Sequence, residues 1–243
     1  MAAGAALVVG ASGGIGAALA EHWQQSGSYS RVLAASRQPA LLPPPWAAAA
    51  LHCDYTQPDS LPRLAEAVRE QLQGDVLGTV CVCTGILHGP GARPERRLAA
   101  LQPEAYLQLM QINALGPLLL LNALLPLLPR QGLSRVCVLS ARVGSIEDNR
   151  LGGWYSYRCS KAALNQGLRS LAVEMGRTHP DCVLTAYHPG TVDTALSRPF
   201  QSGVDPALLK SPAEAAACLD AVLQARTHPG ELFVDWAGKT IPF

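Results

Sequence analysis

Two side chains that could move a proton lie four residues apart in the segment GGWYSYRCSK (152–161). On a helix, Tyr157 and Lys161 would be about 400° apart and would share one face. A lysine ammonium beside a tyrosine lowers the phenol pKa from about 10 towards the range useful for acid–base chemistry. Tyr155 precedes Lys161 by six residues, about 600° of helix, and points away from it. The spacing indicates Tyr157 as the acid–base candidate, although an exposed helix face could carry the same pair by chance.

The elements that would position this pair alternate along the chain. Short apolar runs typical of strands are separated by segments of helical pattern. The strand-like runs cover 6–11, 31–36, 51–54, 78–83, 135–140, 182–188 and 231–236, and the helical segments cover 15–26, 60–73, 103–127, 157–178 and 212–225. This alternation predicts an α/β fold, a doubly wound and mostly parallel seven-stranded sheet flanked by helices on both faces. The proline-rich segment 38–46 falls inside the alternation, so we expect a single domain over residues 1–243.

The first strand-like run leads into the glycine-rich segment GASGGIG (10–16). Its glycines allow a tight turn into a helix and close approach of a ligand to the main chain, and free N–H groups at the helix start attract phosphate. A glycine cluster alone is also compatible with a plain structural turn. Its place between the first strand and the first helix favours a dinucleotide site. The residues expected to bind there are Gly10, Ser12, Gly13, Gly14, Ile15 and Gly16.

Composition argues against several other classes of protein. The formal net charge is +1 and no basic run is present, which argues against nucleic-acid or anionic-membrane binding. The seven cysteines form no Cys-x-x-Cys pair and lie mostly in apolar runs, which predicts a reduced, cytoplasmic protein without a zinc or other metal site. The first residues lack a basic region and read as a strand rather than a signal peptide. The apolar stretch 115–129 is interrupted by Asn122 and three prolines, and suits a helix that is buried or at a subunit interface.

Four segments, in this order and at these separations, resemble the short-chain dehydrogenase/reductase family. They are the glycine turn, INALGP (112–117), YSYRCSK (155–161) and HPGTVDT (188–194). The details GSI (144–146) and GKTIPF (238–243) resemble the branch that contains the sniffer carbonyl reductases and the bacterial C-factor proteins. The resemblance covers nearly the whole chain. It implies a Rossmann-type fold and hydride transfer between a nicotinamide cofactor and a carbonyl or alcohol substrate.

The resemblance also implies roles for individual residues. Tyr157 would be the acid–base residue, Lys161 would in addition hold the nicotinamide ribose, and Asn113 would be the family's buried asparagine on the fourth helix. The segment closing over the nicotinamide would supply Pro189, Gly190, Val192 and Thr194.

The nucleotide end of the expected site carries an arginine where NAD-dependent enzymes usually carry an acid. Arg37 after the second strand favours the 2′-phosphate of NADP(H), with NAD(H) possible and a solvated loop residue as the alternative. Asp54, followed by Tyr55, matches the family aspartate that meets the adenine, although it could simply cap the strand end. The fourth strand ends in VCTG instead of the family's Asn-Asn-Ala-Gly, so only the glycine, Gly85, is kept. The main chain of Cys83 and Thr84 could still contact the adenosine ribose, and Thr84 and Gly85 are expected to bind the cofactor.

The largest departure from the family concerns the catalytic serine. The family places it three residues before a glycine that follows the fifth strand, and here that position, counted back from Gly144, is Ala141. Ser140 lies one residue early and Ser145 one residue past the glycine. Strand alternation would turn Ser140 to the opposite face unless the strand ends or bulges there. We predict Ser140 as the catalytic hydroxyl, with Ser145 or no hydroxyl at all as the alternatives.

The sequence therefore predicts an NADP(H)-dependent oxidoreductase acting on a small carbonyl or alcohol. The segment 196–210 would form a lid over the substrate, and the protein would be a homodimer or homotetramer. The alternative is a dinucleotide-binding signalling protein of C-factor type with weak or no reductase activity. The intact Tyr157/Lys161 pair favours the enzyme, whereas Ala141 favours the alternative.

Overall fold

The central sheet contains seven parallel strands. The computed structural model describes residues 4–57, 59–89 and 93–243. The strands are β1 Ala5–Val9, β2 Val32–Ser36, β3 Leu51–His52, β4 Leu77–Val82, β5 Ser134–Leu139, β6 Cys182–His188, β7 Thr191–Val192, β8 Leu209–Lys210 and β9 Phe233–Asp235. The sheet order is β3-β2-β1-β4-β5-β6-β9, while β7 and β8 form a separate parallel pair. The chain runs from β1 to one edge and then returns to the other side of β1 at β4, which opens a crevice at the carboxyl ends of these strands.

Helices cover both faces of this sheet. They are α1 Gly14–Ser26, α2 Ser60–Leu72, α3 Pro103–Met110, α4 Gly116–Leu124, α5 Tyr155–Thr178 and α6 Pro212–Ala225. Successive side chains of β1 point to opposite faces, as strand geometry requires. Leu7 and Val9 join the core cluster under α2, α4 and α5, whereas Ala6 and Val8 join the cluster under α1 and α6. Apolar strands buried on both faces are the reason that the sequence contains runs rather than alternation.

The predicted doubly wound α/β fold is confirmed. Every predicted strand is present, and the strand ends lie within two residues of the predicted ends. The helices agree equally well except for 103–127, which is divided into α3, a π-helical turn and α4 and ends in a 3₁₀ turn, Leu125–Leu127. The short β7–β8 pair, which lies outside the main sheet, was not predicted.

The apolar helical run Pro103–Leu127 has two kinds of surface. By length and composition alone it could cross a membrane. Leu120, Leu121 and Leu124 are buried against the sheet, as in the core helix of a soluble protein, while Leu107 and Leu119 are exposed. A π-helical turn, Gln111–Leu115, joins α3 to α4.

Candidate active site

A cleft of about 400 Å³ opens at the carboxyl ends of the strands. The predicted residues that line it are Gly10, Ser12, Gly13, Gly14, Ile15, Arg37, Asp54, Tyr55, Thr84, Gly85, Ser140, Tyr157, Lys161, Pro189 and Thr194. The predicted residues Gly16, Asn113, Gly190 and Val192 do not line it. The cleft is also lined by residues that were not predicted, namely Gln38, Cys53, Ile86, Ile112, Leu139 and Ala195. Most of these residues could have been predicted from the sequence, because they are adjacent to predicted site residues at the ends of the strands.

The glycine turn between β1 and α1 forms one wall of the cleft. Gly10 and Gly14 have φ angles of 89° and 34°, a region that favours glycine. A Cβ on Gly16 would collide with the carbonyl oxygen of Gly10, whereas among the described residues a Cβ on Gly13 would meet no atom within 4 Å. No side chain caps the start of α1, so its first N–H groups are available to a ligand. This open, uncapped helix start fits the diphosphate of a dinucleotide.

The end of β2 supplies polar groups beside this turn. The Ser36 hydroxyl donates a hydrogen bond to Ser12 Oγ (2.7 Å) and accepts one from the Gln38 main-chain N–H (3.1 Å). Arg37 lines the cleft and is exposed, and its described neighbours at the end of β2, Ser36 and Gln38, are uncharged. A guanidinium presented to the cleft in this way fits a phosphate group.

Asp54 follows β3 and is already engaged in hydrogen bonds. Its oxygens accept from the Thr56 N–H (2.9 Å), the Thr56 hydroxyl (2.7 Å) and Gln57 Nε2 (3.0 Å). Burial alone would raise the pKa of Asp54, but these hydrogen bonds and the nearby Arg37 lower it below its usual value. Asp54 therefore stays ionised and caps the turn after β3 while also facing the cleft.

The segment VCTG at the end of β4, which differs from the family pattern, is held by a side-chain hydrogen bond. The Thr84 hydroxyl shares a 2.9 Å hydrogen bond with the Tyr55 hydroxyl, which joins the ends of β3 and β4. The Thr84 methyl group lies against the glycine turn, where a Cβ on Gly10 would be 3.1 Å away. Tyr55 and Thr84 thus connect the segments after β3 and β4, where both residues line the cleft.

Asn113 lies behind the cleft, in the π-helical turn. Its side-chain oxygen accepts from the Ile86 N–H and its amide donates to the Ile86 carbonyl, both at 2.8 Å. The amide also donates to Ser160 Oγ on α5 (3.0 Å). A Cβ on Gly85 would lie 3.5 Å from both Asn113 Oδ1 and Lys161 Nζ. Asn113 therefore holds the loop after β4 close to Lys161.

Tyr157 and Lys161 share the buried face of α5 and line the cleft together. Lys161 Nζ donates to the Leu139 carbonyl (2.8 Å) and lies 5.9 Å from the centre of the Tyr157 ring. Burial lowers the pKa of Lys161 to about 8. Burial also raises the pKa of Tyr157 above its usual value. The expected lowering of the tyrosine pKa is thus not seen in this arrangement, because burial disfavours the phenolate.

The two candidate serines differ in position. Ser140 lines the cleft, and its hydroxyl donates a 2.6 Å hydrogen bond to Asn165 Oδ1 on α5. Ser145 does not line the cleft, and its hydroxyl accepts from the Asp148 N–H (3.0 Å), as a turn cap does. Ala141 packs against Tyr157 in a small apolar cluster.

The segment after β6 closes one side of the cleft. Pro189 and Thr194 line it, and a Cβ on Gly14 would lie 2.7 Å from Thr194 Cγ2. Gly190 has a φ of 77°, a region that favours glycine. A Cβ at this position would lie 3.1 Å from both Lys210 Nζ and Trp236 Cδ1. The β7–β8 pair therefore brings this segment against the start of α1.

An apolar wall surrounds Tyr157 on the side away from the glycine turn. Its members are Ile86, Leu87, Ala105, Leu109, Ala141, Val143, Trp154, Leu196 and Phe200. The Trp154 ring packs edge-on against the Phe200 and Tyr157 rings, with ring centroids 5.2 Å and 6.1 Å apart, respectively. These contacts make the reaction end of the cleft apolar and aromatic.

Two histidines lie near the cleft, and they differ in their contacts. His88 Nε2 lies 3.1 Å from the Leu196 carbonyl and 3.3 Å from the Ala195 carbonyl, and so tethers the start of the predicted lid. Burial, reinforced by the charge of Arg142, lowers the pKa of His188 to about 4, so its ring is neutral at pH 7. Over residues 4–57, 59–89 and 93–243, no cluster of three or more potential metal-ligating side chains is found.

The chain matches a known family over most of its length. The family model described as short chain dehydrogenase matches residues 4–205. C-signal of Myxococcus xanthus is 35% identical over 116 residues, which are 47% of this chain and 64% of that protein. A 1-hydroxy-2-glutathionyl-2-methyl-3-butene dehydrogenase of Rhodococcus sp. (strain AD45) is 39% identical over 67 residues, or 28% and 29% of the two chains. Each alignment thus spans less than two thirds of the curated relative.

Solved structures match over nearly whole chains. A short-chain dehydrogenase/reductase from Burkholderia multivorans with bound NADP is 29% identical, with a TM-score of 0.79 and 98% and 99% of the chains covered. A carbonyl reductase from Pseudomonas aeruginosa PAO1 is also 29% identical, with a TM-score of 0.78 and both chains fully covered. The carbonyl reductase Sniffer of D. melanogaster has a TM-score of 0.82 over both full chains at 21% identity, a likeness of fold.

Proposed function

This chain belongs to the short-chain dehydrogenase family of oxidoreductases, and on that premise we propose that it is an NADP(H)-dependent carbonyl reductase with Tyr157 as its proton donor. The observation that carries the proposal is the placement of Tyr157 and Lys161 in the same cleft as the glycine turn. A phosphate-binding turn and a proton donor at opposite ends of one cleft are the two parts that nicotinamide-dependent reduction needs.

The preference for NADP(H) is supported by the arginine at the end of β2. Arg37 faces the cleft beside the uncharged Ser36 and Gln38, so a 2′-phosphate would meet a positive charge and no carboxylate at this strand end. The Burkholderia multivorans structure, 29% identical, contains NADP. Asp54 and Tyr55 would lie beside the adenosine, and the Thr84 and Gly85 main chain beside its ribose.

The residues of the cleft can carry the proton side of the reaction. When bound, NADPH supplies the hydride. Tyr157 Oη donates its proton to the carbonyl oxygen, and its raised pKa keeps the phenol protonated at neutral pH. Lys161, as a buried ammonium, stabilises the phenolate that forms and would hold the nicotinamide ribose in the family manner. A protonated phenol suits reduction, whereas oxidation would begin from the phenolate and is therefore favoured at high pH.

Other residues position these groups. Asn113 fixes the loop after β4 through Ile86. Pro189, Gly190, Val192 and Thr194 would close over the nicotinamide.

Ser140 is the proposed second donor to the substrate oxygen, because it lines the cleft and Ser145 does not. To take this role, its hydroxyl has to exchange the Asn165 acceptor for the substrate.

We also propose that residues 1–243 form one NAD(P)-binding domain and that the protein is a cytoplasmic homodimer or homotetramer. The exposed Leu107, Leu115 and Leu119 on the α3–α4 run support an interface there, since such a row of apolar side chains favours burial.

The test combines binding and turnover. Titration with NADPH and NADH, followed by fluorescence, measures cofactor affinity, and NADPH consumption with a panel of aldehydes and ketones measures reduction. We expect tighter binding of NADPH and measurable turnover that is lost in Tyr157→Phe. Absence of NADPH binding would overturn the proposal.

A dinucleotide-binding signalling protein is the second candidate. It is favoured by Ala141 at the family's serine position and by the 35% identity to C-signal over 116 residues. NADPH binding without turnover on any carbonyl would support it.

A further inference from the structure

The helix that carries Tyr157 and Lys161 begins without a cap of its own. Trp154, the residue before α5, has a left-handed φ of 52°, and no side chain at that position accepts a hydrogen bond from the helix. The first turn of α5 also contains no acidic residue. α5 is 24 residues long, and the N–H groups of its first turn have no partner within the helix. They therefore require acceptors from elsewhere in the chain.

Glu95, in the segment between β4 and α3, supplies these acceptors. One carboxylate oxygen accepts from the Ser156 N–H (3.2 Å) and the other accepts from the Ser156 hydroxyl. The Glu95 main-chain carbonyl accepts from the Trp154 N–H (2.5 Å). Glu95 is only 5% exposed. Burial of a carboxylate is costly unless it is hydrogen-bonded, and the positive end of a helix dipole offsets that cost.

Arg158 holds the same turn from the opposite side. Its guanidinium donates to the carbonyls of Gly153 (3.0 Å), Gly152 (3.2 Å) and Val143 (3.4 Å). Gly152, Gly153 and Trp154 form three successive left-handed residues, an arrangement that costs free energy at the tryptophan. Glu95 thus accepts the Trp154 N–H of this strained turn, and Arg158 donates to the carbonyls of its two glycines.

Glu95 and Arg158 together form a clamp on the start of α5, next to the proposed proton donor. Tyr157 is the residue after Ser156, and both Tyr157 and Glu95 line a small void beside Leu109. A shift of the first turn of α5 would move the Tyr157 hydroxyl together with the Trp154 ring that contacts it. Proton transfer needs heavy atoms within about 3 Å, so a displacement near 1 Å can cost on the order of 10²-fold in rate.

We propose that Glu95 is a positioning residue for Tyr157, which fixes the start of α5 so that the phenol hydroxyl meets the substrate oxygen. This inference rests on the proposed function, since it takes Tyr157 as the proton donor. Glu95 itself contacts neither substrate nor cofactor; it acts through Ser156.

The experiment compares Glu95→Ala, Glu95→Gln and a control. Glutamine retains an oxygen for the Ser156 N–H, and the serine hydroxyl can turn to accept from its amide, so Glu95→Gln keeps both hydrogen bonds. We expect kcat to fall roughly ten- to hundredfold in Glu95→Ala, with the KM for NADPH within about twofold, and kcat of Glu95→Gln within about threefold of the wild type. Glu104→Ala removes an exposed carboxylate from the first turn of α3 and should leave kcat unchanged.

The outcomes separate positioning from folding and from the proposed function. Wild-type kcat in Glu95→Ala overturns the inference, as does an equal loss in Glu95→Gln accompanied by weaker NADPH binding. If Glu95→Ala does not fold, Glu95→Asp replaces it, and wild-type kcat in that variant also overturns the inference. Hydrogen exchange at the amides of residues 154–158 needs no substrate, and we expect it to be at least about tenfold faster in Glu95→Ala. Unchanged exchange overturns the clamp, whereas wild-type protein without turnover overturns the proposed function instead.

Discussion

The two ends of the cleft are built from different parts of the chain. The nucleotide end is mainly main chain, a glycine turn whose N–H groups face a ligand at the start of α1. The reaction end consists of side chains on α5 and in the segment after β5, with Tyr157 and Lys161 present but Ala141 where the family has a serine. Main-chain recognition survives most substitutions, whereas side-chain chemistry changes with one residue. A chain can therefore keep its dinucleotide site while substitutions at the reaction end change or abolish the reaction that it catalyses.

The largest expected effect at the reaction end comes from Tyr157→Phe. The phenol is the proposed donor of a proton to the carbonyl, and general acid catalysis is worth roughly 10²–10⁴-fold. We expect kcat to fall by that factor while the dissociation constant for NADPH stays within about threefold. Tyr155→Phe is the matched control, because Tyr155 does not line the cleft. Equal losses in the two variants would contradict the helix-face argument.

Lys161 gives a pH-dependent contrast at the same end. Its folded pKa of about 8 lies below the model-peptide value of 10.5, because burial disfavours the ammonium. That penalty is present in full below pH 8 and is relieved as the pH rises to about 10.5. In the protein without cofactor, the free energy of unfolding of the wild type should therefore rise relative to Lys161→Met across this window, by on the order of 3 kcal/mol.

Denaturant unfolding at several pH values between 8 and 10.5 measures this difference. Tyrosines titrate in both proteins, so the comparison isolates the lysine. A difference that does not change with pH would mean that Lys161 is solvated rather than buried.

At the nucleotide end, Arg37→Ala tests the one positively charged side chain that the proposal uses. Loss of charge-assisted hydrogen bonds to a 2′-phosphate, worth about 1.5–3 kcal/mol, should weaken NADPH binding roughly ten- to hundredfold. NADH lacks that phosphate, so its affinity should be nearly unchanged. Fluorescence titration with both cofactors gives the ratio, and parallel losses for NADPH and NADH would place Arg37 away from the phosphate.

The same contrast explains what the sequence could predict. The strands are apolar runs because both faces of the sheet are buried, so their number and order of appearance could be inferred from residues such as Leu7 and Val8. The glycine turn and the Tyr157/Lys161 pair depend on local spacing and could be located for the same reason.

Other features depend on contacts between distant segments and left no local pattern. Glu95 and Ser156 are 61 residues apart in the chain, and Ser140 and Asn165 are 25 apart. The raised pKa of Tyr157 likewise results from burial under the wall around Trp154, which the spacing of Tyr157 and Lys161 does not encode. The π-helical turn at Asn113 is set by packing between α3, α4 and α5 rather than by a recognisable sequence signal.

The smallest expected effects are those of the serine substitutions. They show which hydroxyl, if any, has taken the role of the family's catalytic serine. The Ser140 hydroxyl must give up its hydrogen bond to Asn165 before it can donate to a substrate, so its net contribution is that of one neutral hydrogen bond, about 1 kcal/mol. Ser140→Ala should therefore lower kcat only about fivefold. Ser145→Ala, which removes a turn cap outside the cleft, should leave kcat unchanged.

The reverse substitution, Ala141→Ser, is the sharper measurement. It places a hydroxyl beside Tyr157 at the position that the family uses, where preorganised donors are worth more than one that has to be released from another acceptor. We expect kcat to rise by about fivefold, and Ser140→Ala in the Ala141→Ser background to cause no further loss, because the new hydroxyl replaces the old. The kcat values of the wild type and the four variants are measured from NADPH consumption on one carbonyl substrate. If Ala141→Ser lowers kcat while Ser145→Ala also lowers it, then the loop before α5 has shifted register and Ser145 is the donor. If none of the substitutions changes kcat, Tyr157 alone stabilises the developing charge on the substrate oxygen.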